Sequence, residues 1–176
     1  MADRSVRIAW ADDAPAIAHL QAKSWRELYL DTIGPDALPD PSATTAVWRA
    51  SLSKPKDARN RVLVALEGNR VVGFAITVPA SDTDRDSVVD GEVAEFSVDQ
   101  DARGLGHGSR LLQAAVDTMV ADRFSRASAW IVSTDDERRR FLTAVGWEPD
   151  GGHRELAVDA NSEVTLKQVR LHAAIA

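Results

Sequence analysis

The chain has 176 residues, of which 44% are apolar and 27% charged, and it carries a net charge of −6. This length suits one well-buried domain spanning residues 1–176 and is short for two, while the acidic charge argues against a nucleic-acid partner. There is no cysteine, which excludes disulfides, thiolate metal sites and an acyl-cysteine intermediate, and no apolar run approaches the roughly 20 residues of a membrane span. We expect no signal peptide and no membrane partner, and therefore a cytoplasmic protein.

The N-terminal third is predicted to be mainly helical. A short edge strand over Val6–Ala9 precedes a helix that takes Asp12 or Asp13 as its N-cap and ends before Gly34. The apolar residues of this helix recur at helical spacing in two stripes. A second helix is predicted over Thr44–Leu52.

A hairpin and an acidic loop follow. Arg61–Leu66 and Val71–Val78 are apolar strands separated by the turn Glu67-Gly68-Asn69. The next segment has aspartates at positions 82, 84, 86 and 90, a spacing that lacks the later Gly and Glu of a calcium loop. We expect a solvated acidic loop there, and no metal site in the protein.

The stretch Glu92–Leu112 contains the strongest functional signal. Glu92–Val98 alternates loosely as a strand does, Asp99–Gly108 is a polar glycine-rich turn, and Ser109 opens an amphipathic helix. Such a unit binds anions, because the first N–H groups of a helix lack partners and the helix dipole favours negative charge. Glycines at 104, 106 and 108 let the backbone approach a phosphate, and Arg103 adds a fork of donors. The sequence therefore predicts a diphosphate-bearing cofactor on this turn.

The C-terminal third alternates strand and helix. A strand is predicted over Ala129–Val132, a helix over Asp135–Val145, a strand from Trp147, a turn at Asp150-Gly151-Gly152 and a final strand over Val164–Leu171. The order of elements along the whole chain indicates a mixed α/β fold in one domain.

The segment Arg103-Gly104-Leu105-Gly106-His107-Gly108 resembles the R/Q-x-x-G-x-G/A signature of the GNAT superfamily of N-acetyltransferases. It lies between a central strand and the following helix, as it does in that family. Val71-Val72-Gly73-Phe74 and the segment from Phe141 to Trp147 are similar to two further family segments. The resemblance covers nearly the whole chain. It implies a single GNAT-like α/β domain, in which a central twisted mixed sheet is flanked by helices and two splayed central strands form the coenzyme A cleft.

The resemblance also implies that acetyl-CoA is the acyl donor, with no metal. The pyrophosphate is expected on the glycine turn, the pantetheine along the end of the central strand, and the backbone N–H of Val98 against the thioester carbonyl. Trp25 and Tyr29 are implied as walls of the acceptor pocket, because the N-terminal helices line that pocket in the family. The implied cofactor-binding residues are Phe96, Ser97, Val98, Arg103, Gly104, Leu105, Gly106, His107, Gly108, Ser109 and Asp135.

Two positions depart from the family pattern. Asp135 stands where the family often has an Asn that positions the pantetheine. Leu142 stands where a Tyr often protonates the departing thiolate, and an aliphatic side chain has no proton to give. The alternative donors are Tyr29, which is the only tyrosine, Ser133, Ser97 or a water, and unassisted departure of the thiolate is the remaining possibility.

Glu92 and Glu95 are the candidate bases, since an amine nucleophile must lose a proton. Histone-type members of the family carry a glutamate at a spacing similar to that between Glu92 and Val98. Under strict alternation Glu92 shares a face with Phe96 and Val98, and Glu95 lies on the other face, unless a bulge changes the parity. Either carboxylate can act through a water. His107 is expected to be an exposed position in the turn.

These observations predict an acetyl-CoA-dependent N-acetyltransferase, in which a small-molecule or peptide amine attacks the thioester directly in a ternary complex. The absence of cysteine favours direct transfer over a covalent relay. An acyl-CoA-binding or sensing module with weak or no catalysis is the alternative, and Leu142 is its main argument. A dinucleotide-binding oxidoreductase fits poorly, because its glycine turn follows an N-terminal strand. The oligomeric state stays open, although homodimers are common in the family.

Overall fold

A seven-stranded sheet forms the centre of the computed structural model, which describes residues 2–157 and 163–176. The strands are β1 (Arg4–Ile8), β2 (Arg61–Glu67), β3 (Arg70–Pro79), β4 (Asp90–Val98), β5 (Arg126–Val132), β6 (Glu148–Ala157) and β7 (Thr165–Ala174). The helices are α1 (Ala14–Ile33), α2 (Pro41–Ser53), α3 (His107–Ala121) and α4 (Asp136–Ala144). Along the sheet the order is β1-β2-β3-β4-β5-β7-β6, with β4 and β5 parallel and the other neighbours antiparallel. The predicted mixed α/β fold is confirmed.

Two helices cover each face of this sheet. On one face, Ile17 of α1 and Trp48 of α2 pack with Phe74, whose ring lies edge-on to the indole at 5.7 Å. On the other face, Leu111 of α3 packs over β2 and β3, and Leu142 of α4 packs near β5 and β7. Within residues 2–157 and 163–176, no helix combines the length and apolar character needed to cross a membrane.

A bulge replaces the turn that we expected at Asp150-Gly151-Gly152. These residues lie inside β6, where the pairing with β7 shifts between Pro149 and His153. Gly151 takes a φ of 86°, a left-handed conformation that suits glycine. The prediction of a chain reversal was wrong, because the glycines are accommodated as a bulge within a continuous strand. The bulge brings the carboxylate of Asp150 toward Arg170.

Arg170 of β7 binds the acidic β3–β4 loop to the far half of the sheet. Its guanidinium donates to Asp82 at 2.9 Å, to Asp84 at 2.8 and 2.6 Å, and to Asp150 at 2.7 Å. Arg85, from the loop itself, also pairs with Asp150. The Arg170 hydrogen bond lowers the pKa of Asp84 to about 2. The loop is exposed over most of its length, as expected, but ion pairs also fix it to the sheet, which the sequence did not indicate. The described residues include no cluster that could hold a metal.

Candidate active site

The gap between β4 and β5 is the central feature of the site. The two strands pair over only three residues, ending at the pair Glu92–Ser128. The Asp99 N–H donates to a carbonyl of β3 at 2.7 Å. Since successive N–H groups of a strand point to opposite sides, those of Val98 and Phe96 point away from β3 and into the gap. An extended ligand can add to this edge as a further strand would.

The glycine turn presents backbone amides next to this edge. Gly104 and Gly106 take φ angles of 76° and 87°, which only glycine adopts readily. The helix α3 begins at His107, slightly earlier than predicted, and its first internal bond runs from the Arg110 N–H to the Gly106 carbonyl at 3.2 Å. The amides of residues 107–109 precede that bond and have no acceptor within the helix. Together with the helix dipole they form an anion site.

A cavity of ≈ 310 Å³ joins the glycine turn to the β4 edge. One wall is the stack of Phe96 on Phe141, whose ring centroids are 5.7 Å apart. A Cβ added at Gly108 would lie 3.5 Å from the Phe141 ring, so the helix N-terminus and the aromatic wall are close neighbours. The predicted cofactor-binding residues that line the cavity are Phe96, Val98, Arg103, Gly104, Gly106, Gly108, Ser109 and Asp135.

Leu105 and His107 belong to the turn but do not line that cavity. The Leu105 carbonyl accepts a hydrogen bond from Arg4 at 2.9 Å. His107 was expected to be exposed and is 1% exposed instead, because its ring turns inward at the first residue of α3. Its Nε2 lies 3.9 Å from a Glu67 oxygen and makes no hydrogen bond within the described residues. The backbone of Leu105 and the buried ring of His107 therefore hold the turn against the β1–β2 end of the sheet.

Arg103 and Asp135 both bind protein groups at the edge of the cleft. The guanidinium of Arg103 forms a bidentate salt bridge with the Glu27 carboxylate, with bonds of 2.6 and 2.9 Å. Its Nε donates to the Val98 carbonyl at 3.2 Å. The Glu27 bond raises the pKa of Arg103. The fork that we expected to hold phosphate is thus engaged by Glu27. Asp135 is the N-cap of α4 and accepts the backbone N–H of Arg138 at 3.1 Å, which accounts for a carboxylate at this position.

A bulge in β4 changes which side chains share a face. The pairing of β4 with β3 skips Ala94, so strict alternation fails there. Val93 packs in the same core as Phe96, on the α3 side of the sheet. Glu92 and Glu95 consequently lie together on the α1 side. The prediction that Glu92 shares a face with Phe96 was wrong, because the extra residue reverses the parity between them.

Glu95 is held by a chain of hydrogen bonds from the two N-terminal helices. Gln21 of α1 donates from its amide nitrogen to both carboxylate oxygens, at 3.0 and 3.3 Å. The Trp48 indole N–H donates to the Gln21 amide oxygen at 3.0 Å. Since an indole N–H can only donate, it fixes the amide with its N–H₂ toward Glu95. Burial raises the pKa of Glu95, and the Gln21 and Trp25 side chains oppose part of that rise.

A second cavity, of ≈ 210 Å³, lies in the gap between β4 and β5 and is lined by residues from both sides of the sheet. Trp25 and Tyr29 form one wall, with their rings edge-on at 5.1 Å. Burial raises the pKa of the Tyr29 hydroxyl, while Arg138 acts in the opposite direction. The buried Leu142 adds apolar surface. The polar and aromatic lining residues are Ser24, Trp25, Tyr29, Glu95, Phe96, Ser97, Trp130, Arg138, Phe141, Trp147, Arg154 and Gln168.

Glu92 lies beside this second cavity but is not part of its wall. Burial and the nearby Asp82 raise its pKa, whereas Arg154 and Arg170 lower it. The charges that act on Glu92 are thus mainly those of the ion pairs between Arg170 and the β3–β4 loop. Ser97 does line the cavity, and its hydroxyl is bonded to that of Ser24 at 2.6 Å. Of the two carboxylates predicted as bases, only Glu95 faces the space where an acceptor would bind.

Several residues of this site were not predicted from the sequence, and four of them contribute its polar and charged groups. Gln21 precedes Trp25 and Tyr29 by one and two turns on the same helix face, so its helical spacing could have identified it. Arg138 follows the predicted start of α4. Arg154 and Gln168 reach the cavity through the register of β6 on β7, which is a non-local pairing that no local pattern reveals.

Comparison with known proteins identifies the family. Residues 15–147 match the model of the acetyltransferase (GNAT) family. An N-acetyltransferase of Streptomyces griseus is 30% identical over 112 residues, which are 60% of this chain and 56% of that protein. The chain therefore spans little more than half the length of that relative.

Solved structures share the whole fold at low identity. The structure of yncA from Salmonella typhimurium, determined with its cofactor acetyl-CoA, has a TM-score of 0.73 at 18% identity and covers 98% of this chain and 94% of its own. A ribosomal-protein-alanine N-acetyltransferase of Brucella melitensis has a TM-score of 0.74 at 18% identity, with coverage of 97% and 99%. A GCN5-related N-acetyltransferase of Kribbella flavida has a TM-score of 0.72 at 22% identity, with 97% of each chain covered. The family match over most of the sequence, on this fold and with this cleft, places the chain in the acetyltransferase (GNAT) family.

Proposed function

We propose that this protein is an N-acetyltransferase in which a primary amine attacks acetyl-CoA directly while both substrates are bound. The observation that carries the proposal is the position of Glu95. This buried carboxylate faces a cavity that opens on the edge of β4 that β5 leaves unpaired. A nucleophile deprotonated at Glu95 would therefore stand next to an acyl group held along that edge.

The residues of the cleft fit the acyl donor. The amides of residues 107–109 suit the pyrophosphate, and the open edge of β4 suits an extended pantetheine. The bound donor supplies a thioester carbonyl open to attack. We assign the Val98 N–H to the oxygen of that carbonyl, where it stabilises the negative charge that develops as the amine adds.

Glu95 is the base in this proposal. An amine arrives mostly as ammonium, and a carboxylate accepts its proton directly or through a water. A pKa raised by burial makes Glu95 a stronger base than an exposed glutamate, and the Gln21 bond keeps it directed at the cavity. Glu92 is left with a supporting electrostatic role, since it lies within reach of the charges of Asp82, Arg154 and Arg170 and does not line the cavity.

Tyr29 is the proposed proton donor for the thiolate. Its ring lines the acceptor cavity, and its raised pKa keeps the hydroxyl protonated. Ser97 is the weaker candidate because its hydroxyl is bonded to Ser24. Leu142 occupies the usual position of the donor and serves only as an apolar wall.

Replacing Tyr29 by Phe is therefore expected to reduce kcat while leaving the affinity for coenzyme A unchanged. Thiols are fairly acidic, with an ordinary pKa of about 8.5, so the departing thiolate needs little help. We expect a loss of about 10-fold, below the usual range for a general acid. Steady-state kinetics on Tyr29→Phe checks this value, and a kcat equal to that of the wild type would remove Tyr29 from the mechanism.

A module that binds acyl-CoA without efficient transfer is the second candidate, and Leu142 in the place of the usual acid favours it. The two functions separate in one experiment. Acetyl-CoA is incubated with the protein and a broad amine library, and loss of the thioester is followed together with calorimetric binding of coenzyme A. Amine-dependent thioester loss supports the transferase, whereas binding without turnover on any amine supports the module.

Gly106→Glu tests the cofactor site itself. The new side chain would meet strain at a φ of 87°, would start 3.1 Å from the Arg110 guanidinium, and would place a carboxylate at the phosphate site. Loss of several charge-assisted bonds weakens coenzyme A by about 100-fold or more. Gly34→Glu is the matched control, since it has a φ of 77° and open space around it. Unchanged affinity in a folded Gly106→Glu protein would exclude the turn as the cofactor site.

A further inference from the structure

The acceptor cavity has an anion-binding wall opposite Glu95. Arg154 of β6 lies over the Trp130 ring, with its Cζ 4.2 Å from the ring centroid, and its Nε donates to the Gln168 side-chain oxygen at 2.8 Å. Gln168 is 8% exposed and lines the cavity. Because its oxygen accepts from Arg154, its amide N–H₂ remains a donor on the cavity side. The terminal nitrogens of Arg154 are donors as well, and among residues 2–157 and 163–176 the ion pair of this guanidinium is a long contact of 3.9 Å to Asp82.

The charges on the cavity wall are unusual for so acidic a protein. The chain has a net charge of −6, yet the wall carries two guanidinium groups, Arg138 and Arg154, against the single carboxylate of Glu95. Arg138 lies at the junction with the cofactor cleft, and its contact to Asp135 is 3.6 Å long. The acidic contacts of both arginines are long, so an acceptor that carries an anionic group would add a closer partner for this positive charge.

The two kinds of charge lie far enough apart to bind two groups of one small molecule. Glu95 is on β4, and the Arg154 guanidinium is above Trp130 of the neighbouring strand β5. Neighbouring strands are about 5 Å apart, and these two diverge beyond Glu92. The separation between the two charged groups therefore matches a molecule with several covalent bonds between its own charged groups. Both side chains lie on the α1 side of the sheet. Val169 packs in the core on the α3 side, so the adjacent Gln168 and its register partner Arg154 lie on the opposite side. Glu95 lies on that side because of the β4 bulge.

We propose that the acceptor is a small zwitterionic amine, with the amine beside Glu95 and a carboxylate-type anion bound by Arg154 and Gln168. This assignment rests on the proposed transfer to an amine and adds the acceptor's second charged group. Arg154 gives the anion a planar fork of donors, which suits two oxygens of one group. The aromatic side chains between the two sites surround the carbon chain of the acceptor.

The test uses matched acceptors that differ only in the anion. Thioester loss is measured for a panel of α- and ω-amino acids, each with its carboxamide and with the amine that lacks the carboxylate. We expect kcat/KM to be about 10- to 100-fold higher for the zwitterion than for the two analogues that lack the carboxylate, mainly through a lower KM. This is the range expected for one or two charge-assisted hydrogen bonds. Arg154→Met retains contact with Trp130 and is expected to remove this preference.

Arg140→Met is the matched control, because Arg140 is exposed on α4 and lies outside both cavities. It removes the same charge and is expected to leave the preference intact. Turnover that does not distinguish the zwitterion from its carboxamide would overturn this inference and leave the transferase standing. Coenzyme A binding without turnover on any acceptor would overturn both.

Discussion

Replacing Glu95 by Gln is expected to lower kcat/KM for the amine by about 10²–10⁴-fold, the range typical of a lost general base. Gln retains the shape of the side chain and still accepts a hydrogen bond from Gln21, so the cavity should stay intact. In the wild type, kcat/KM should fall as the pH drops through the raised pKa of Glu95. The variant should lose that dependence, and a pH–rate profile of both proteins checks it.

Glu92→Gln is the matched control for this substitution. Its pKa is also raised by burial, but it lies outside the cavity wall. We expect a much smaller effect on the rate and an unchanged acidic limb of the profile. If Glu92→Gln abolishes activity while Glu95→Gln does not, the roles assigned to the two carboxylates are reversed.

The same raised pKa predicts a gain in stability for Glu95→Gln. The folded protein holds the Glu95 proton more tightly than the unfolded chain, whose ordinary pKa is 4.5. Stability from this group is therefore fully present below pH 4.5 and is lost as the pH rises through the folded-state pKa. The variant should have a higher free energy of unfolding than the wild type at pH 7, with the difference disappearing at acidic pH. A buried base that lowers the stability of the folded protein is expected at a functional site.

The geometry of the glycine turn and the cleft beside it could be predicted from the sequence because the signals are local. A strand, left-handed glycines and a helix N-terminus follow one another in the chain, and their geometry follows from residue type. The partner of Arg103 was not predictable, since Glu27 comes from a helix 76 residues away. The sequence indicates that Arg103 is a donor, but the packing of α1 on the turn decides what receives its bonds.

The acceptor half was harder to predict because its geometry depends on register. The single extra residue at Ala94 moves Glu92 onto the face of Glu95, and alternation read along the chain gives the opposite answer. Arg154 reaches the cavity only because β6 pairs with β7 and β7 with β5. Trp25 and Tyr29 were predictable as a pair, since a spacing of four residues places them on one helix face.

Replacing Arg170 by Met is expected to lower the free energy of unfolding by about 3–5 kcal/mol, the usual cost of breaking a buried ion pair from one side. Arg170 is 5% exposed and binds three aspartates, of which Asp82 and Asp150 are largely buried. Removing it leaves their negative charges without their main partner and releases the β3–β4 loop from the sheet. Denaturant unfolding of both proteins measures the difference.

The pH dependence of this loss identifies its cause. The pKa of Asp84 is lowered to about 2 from an ordinary value of 3.8, chiefly by Arg170, so its contribution is present above pH 3.8 and is lost as the pH falls toward 2. The difference in the free energy of unfolding between the wild type and Arg170→Met should therefore become smaller at acidic pH. Arg70→Met, which breaks an exposed pair with Glu67 at 3.4 Å, should cost about 1 kcal/mol or less at any pH. A loss in Arg170→Met that is equally small, or that is constant down to pH 2, would mean that packing rather than the aspartate pairs holds the loop beside the acceptor cavity.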